Sequence, residues 1–190
     1  MPQPRNLNFE EIIPKFDAIL ERGLCTGLGD RDGQMCIEAA ICAALDLPHG
    51  DEPACVDPII RVYKIALNDK NWSSPQARAK GLRNLGIAQI GSKDVIDGKL
   101  FIKKLTIKNI QILIPTLFKD IFKYDEKCLN AAKLCESEPT VANCHAAAHA
   151  ANATTYASFV SADSDKYLIL SANLALDVLK ELNAPGIVWI

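Results

Sequence analysis

The sequence predicts an all-α protein, a single-domain bundle of about seven to nine helices, and three observations carry that expectation. Apolar residues recur at helical spacing along nearly the whole chain. Pro58 and Pro75 stand where helices would begin, and Gly23 and Gly91 where they would end. From Ala142 to Ala157 the chain is rich in alanine, which loses no rotamer entropy in a helix and lets neighbouring backbones approach. That stretch predicts a long central helix near 139–162.

The elements follow in order. Asn8 is a predicted N-cap, with Glu10 and Glu11 where a helix start favours negative charge. Phe9, Ile12, Ile13, Phe16, Ile19 and Leu20 form the first apolar stripe, and Pro14 bends or sharpens its early turns. After a glycine-rich loop, small apolar residues over 34–45 predict a closely packed central helix. Pro58 opens a third. Ser73 and Gln76 can form a capping box ahead of a fourth, which runs to Gly91. The isoleucine-rich stretch 97–115 is partly alternating and admits a strand reading. Ile110, Leu113, Leu117 and Ile121 nevertheless keep helical spacing through Pro115, so two helices divided near Thr106 are preferred. Helices near 126–136 and 164–182 follow. Ile187 to Ile190 should tuck back onto the body, with a strand as the alternative.

At 190 residues, 49% apolar and 23% charged, the chain is long enough for a substantial core. This composition excludes collagen, disorder, small disulfide scaffolds and polybasic tails. One domain over 1–190 is expected, with a possible sub-boundary near 91–97. The N-terminal residues lack the apolar core of a secretory signal. The longest apolar run, 112–118, falls far short of the ~20 residues that span a bilayer. A soluble, cytoplasmic chain with no membrane partner is therefore expected. Seven cysteines, an odd number without a CxxC pair, read as reduced thiols.

Charge is segregated. Residues 1–60 carry 4 Lys/Arg against 11 Asp/Glu, residues 61–123 carry 13 against 4, and residues 124–190 carry 4 against 8. Either the basic middle meets acidic flanks, within one molecule or between molecules, or it faces an external anion. Arg61, Lys64, Arg78 and Arg83 are the candidate anion- or partner-binding residues, expected to project from two adjacent helices. Aromatic residues interleaved with them are limited to Tyr63 and Trp72, so nucleic acid is possible but not favoured.

Three segments suggest chemistry. Gly27 to Gln34 enters a helix, where amides can hold an anion, but its spacing is neither GxGxxG nor a P-loop, and Asp30 and Asp32 oppose phosphate. Cys36 falls in a helical first turn, where the positive end lowers a thiol pKa, and Gln34 could donate to an oxyanion. That pair is the enzyme alternative, a cysteine-dependent hydrolase or transferase. Along the helix, His49 lies too far from Cys36 to act as its base. His145 and His149, spaced i, i+4 beside Cys144, form a weak metal alternative without an HExxH glutamate. Each of the three also fits packing or a turn, and no cofactor is expected.

The strings GLGDRDGQMCIEAAICAALDLPHGDEPACV and KIALNDKNWSSPQARAKGLRNLGIAQIGS, with LNAPGIVW near the end, resemble a family of uncharacterised bacterial and phage proteins. The resemblance covers most of the chain. It implies a mostly helical fold and a phage or prophage setting, and it transfers no catalytic residue. The preferred function is a non-enzymatic interaction or self-assembling protein whose basic central segment meets acidic surfaces.

Overall fold

A computed structural model describes residues 7–153 and 164–190, with side chains placed over 7–150 and 165–190. It is all-helical. In chain order the helices are α1 (Phe9–Leu20), α2 (Ile37–Ala44), α3 (Pro58–Asn68), α4 (Pro75–Ala88), α5 (Gly98–Lys108), α6 (Ile114–Ile121), α7 (Glu126–Ser137), α8 (Val141–Ala153) and α9 (Ser164–Glu181). A π-helical turn, Asn109–Leu113, joins α5 to α6, and a 3-10 turn, Pro185–Trp189, follows α9. Among the described residues the only β contacts are isolated bridges from Met35 to Leu24 and Gly29.

Local chemistry explains the boundaries. Asp57, Ser74 and Asp97 accept hydrogen bonds from amides of the first turns of α3, α4 and α5. The predicted box on Ser73 and Gln76 does not form, and a simple cap stands one residue on. Ser74 caps α4, accepting from Ala77 N–H at 3.0 Å, while Ser73 binds the Asp165 carboxylate at the start of α9. Asn8 caps α1 with its carbonyl alone, because its side-chain amide donates to Glu11 at 2.8 Å. Gly23 and Gly91 take positive φ, as their predicted exits require.

The stretch 97–123 is helical through Pro115. Proline lacks the N–H for the i−4 bond and its ring crowds that carbonyl. The helix widens into the π turn immediately ahead of Pro115, and α6 continues beyond it. The predicted break near Thr106 is thus a change of pitch a few residues later.

Two apolar cores result. The larger gathers α1 to α5, α9 and the 3-10 turn around Phe16, Ile37, Ile41, Ile60, Leu82, Ile87 and Phe101. The smaller joins Ile110 of the π turn to Phe118 and Phe122, and to Cys128, Cys135 and Ala147 on α7 and α8. The alanine-rich segment is helical as far as it is described, and residues 154–162 of the expected helix lie outside the described residues. α8 packs on α7, burying Ala147 while most of its other described residues stay exposed or half-buried. The central place belongs to α2, in which only Ala43 is not fully buried. An alanine face without larger apolar residues has little surface with which to compete for the core. Of the C-terminal residues, Gly186 packs on the end of α4 and Trp189 stacks on Phe9 at 5.2 Å, whereas Val188 stays exposed.

Candidate functional site

The basic residues expected to face a partner turn mostly inward. Lys64, on α3, is fully buried, and its Nζ lies 3.2 Å from Oε1 of Glu38, on α2 and equally buried. Gln89, at the end of α4, donates its amide to both Glu38 oxygens at 3.1 and 2.8 Å. The ammonium is close to the carboxylate but poorly aligned for a hydrogen bond, and no other described acceptor reaches it. Burial pushes the Glu38 carboxyl up against the opposing pull of Lys64 and Gln89. Burial likewise pushes the Lys64 ammonium down against Glu38. Three helices are tied together here by polar groups inside an apolar core.

Arg78 is also buried, donating to the Leu24 carbonyl at 2.6 Å and to the Lys70 carbonyl at 3.4 Å. Arg83 grips Asp17 of α1 with two nitrogens, at 2.6 and 2.7 Å. Of the four candidates, Arg61 alone borders a cleft, and it pairs with Glu52 at 2.7 Å. Farther along, Lys104 and Lys108 meet Glu181, and Lys119 meets Glu136. Six ion pairs among the described residues therefore join the basic middle to the acidic flanks within one molecule. The two adjacent helices do not present a shared field of Arg61, Lys64, Arg78 and Arg83. Buried arginine and lysine stems read in sequence like exposed ones, because the opposite charges that accompany them come from distant residues.

Cys36 is the N-cap of α2, its sulfur accepting from Ala39 N–H at 3.4 Å. Burial pushes this thiol up, so desolvation outweighs the lowering expected at a helix start. Gln34 does not point to an oxyanion position beside it, since its amide donates to the Arg22 carbonyl at 2.9 Å. His49 returns closer than helical rise implied. Its Nε2–H donates to the Gly29 carbonyl at 3.2 Å, next to the Leu28 carbonyl that receives the Cys36 N–H. Only Nε2 of the imidazole is bonded there, Nδ1 being buried without a described partner, and the structure pairs neither His49 nor Gln34 with the Cys36 sulfur.

In the glycine loop, Gly27 N–H donates to Asp69 and Asp32 N–H to Asp30. The chain's own carboxylates fill the positions an anion would take. Cys144 packs against the smaller core while His145 and His149 are exposed on α8. Among the described residues no group of three or more His, Cys, Asp or Glu is placed to hold a metal ion. All seven cysteines are free thiols, and burial pushes Cys42 up to about 12.

Sequence reasoning missed Lys93, which lines the same cleft as Arg61. A single lysine in a turn carries no periodic signal. No described helix is long and apolar enough to cross a membrane. Comparison with protein-family models, with curated proteins and with solved structures finds no match to this chain.

Proposed function

We propose that the protein is a non-enzymatic interaction protein that self-assembles, the outer face of α5 on one copy meeting the acidic N-terminal surface of a second. The observation that carries this reading is a stripe on α5. Leu100, Lys103 and Ile107 share one helix face at i, i+3, i+7 spacing, and all three are exposed. Lys99 stands beside Leu100, also exposed, and neither Lys99 nor Lys103 has a described carboxylate partner. Leu100 and Ile107 keep 39% of their surface in water, although Phe101 and Leu105 of the same helix are fully buried. Apolar residues ringed by unpaired lysines suit a partner with complementary acidic rims. This chain carries such rims, because Glu10 and Glu11 on α1 and Glu21 at its end are exposed.

The contact joins two different faces of one chain, so it is heterologous and generates rings or open chains. A cytoplasmic location and a phage or prophage setting belong to this proposal, the latter implied only by the sequence resemblance. Light scattering across a salt series tests it. Assemblies larger than a monomer are expected at low ionic strength, shrinking as salt rises, and Lys103→Glu with Ile107→Asp should leave a monomer. A wild-type monomer at every ionic strength would sink the reading.

A further inference from the structure

Between the loop that leads into α3 and the turn after α4 lies a cleft of about 310 Å³. That is the lower end of the range for small-ligand sites. Pro53, Val56 and Pro58 give it an apolar wall, and Arg61 and Lys93 bring two cations to it. Arg61 is held in place because Nη1 donates to the Asp51 carbonyl at 3.2 Å as well as to Glu52. Its Nε and Nη2 have no described partner. Lys93 is fixed by its own backbone, whose N–H donates to the Cys55 carbonyl at 3.1 Å. Its ammonium has no described carboxylate. Oδ1 of the nearby Asp57 carboxylate caps α3, accepting from the Ile59 and Ile60 amides at 2.8 and 3.2 Å.

We propose that this cleft binds a small organic carboxylate between Arg61 and Lys93, with Glu52 occupying Arg61 in the ligand's place when the cleft is empty. Glu52 shows which chemistry the guanidinium accepts. Its side chain is 75% exposed, whereas that of Arg61 is 20% exposed. An ion pair with one member so deep in water holds weakly, so an incoming carboxylate displaces it readily. The ligand gains what Glu52 lacks: a second cation in Lys93, and an apolar wall for its body. A guanidinium also offers a fork of parallel donors to the two oxygens of a carboxylate. The site does not depend on self-association.

Sodium benzoate is a suitable probe, titrated against sodium chloride at equal ionic strength and followed by backbone amide shifts. Saturable shifts are expected at Glu52, Ala54, Arg61 and Lys93. Arg61→Gln and Lys93→Gln should each weaken binding about tenfold, the loss of one charge-assisted hydrogen bond. Glu52→Gln should tighten it several-fold by removing the internal competitor. That gain is a signature no structural role for Glu52 would give. Glu52 is exposed and Lys93 half-buried, so those two variants keep the test open even if Arg61→Gln disturbs the fold. Shifts no different from those of chloride would overturn the proposal, as would binding indifferent to Lys93→Gln or weakened by Glu52→Gln. Inorganic phosphate, which has no apolar body, should bind more weakly. Tighter binding of phosphate than of benzoate would overturn the carboxylate assignment.

Discussion

Lys64→Met is expected to lose about 3–5 kcal/mol of folding stability, the range for breaking a buried ion pair by removing one partner. Methionine keeps most of the side-chain volume, so the loss reports on charge rather than on a cavity. Without Lys64 the Glu38 carboxylate stays fully buried with only the Gln89 amide to stabilise it. Adding Glu38→Gln should recover more than half of the loss, because an amide needs no counter-charge in that place. Urea unfolding of the two single variants and the double variant checks this, through the coupling energy of the cycle. A loss of about 1 kcal/mol or less from Lys64→Met would mean that the pair behaves like one in solvent.

Gly29→Ala is expected to lose about 2–5 kcal/mol, from two effects that add. Gly29 has φ +73°, a conformation that costs a residue with a Cβ about 1–2 kcal/mol. An added Cβ would also run into the Gln34 carbonyl oxygen, the Cys25 sulfur and, at 2.6 Å, the Met35 Cα. Two of those are backbone, so the neighbours cannot swing away, and overpacking of that kind costs roughly 1–3 kcal/mol. Gly27→Ala is the control. It shares the positive φ but meets nothing within 4 Å, so it should lose only the conformational part. Equal losses at the two positions would show that the loop gives way around Gly29.

What was legible in the sequence follows from what is local. Proline at a first turn, glycine at an exit and apolar spacing all act within a few residues, and α1 to α4 lie close to where those signals put them. Two predicted cap side chains found another partner: Asn8 holds the N-cap position but its amide turned to Glu11, and Ser73 turned to Asp165, which is 92 residues away. The central position of α2 was readable from its small residues, whereas the outlying position of α8 was not. Alanine content reports helix propensity and says little about which core a helix joins.

The site was less legible for the same reason. Charge segregation was visible, and its resolution inside the molecule was one of the outcomes it allowed. Which cations lie inside was not visible, because Lys64 and Arg61 sit three residues apart on α3 and differ only in what packs over them. The thiol of Cys36 occupies the helix start that the sequence suggested. Its surroundings are apolar, and burial reverses the pKa effect expected of that position. Lys93 acquires meaning only when the fold brings it to the cleft that Arg61 borders.

The central claim is that the basic middle of the chain pairs in part with the acidic flanks of the same molecule. Zero-length coupling of lysines to carboxylates with a carbodiimide, on monomer isolated at high salt and read by peptide mass spectrometry, tests it most directly. Intramolecular links are expected from Lys104 and Lys108 to Glu181 and from Lys119 to Glu136. Coupling that never joins residues 61–123 to either flank would contradict it.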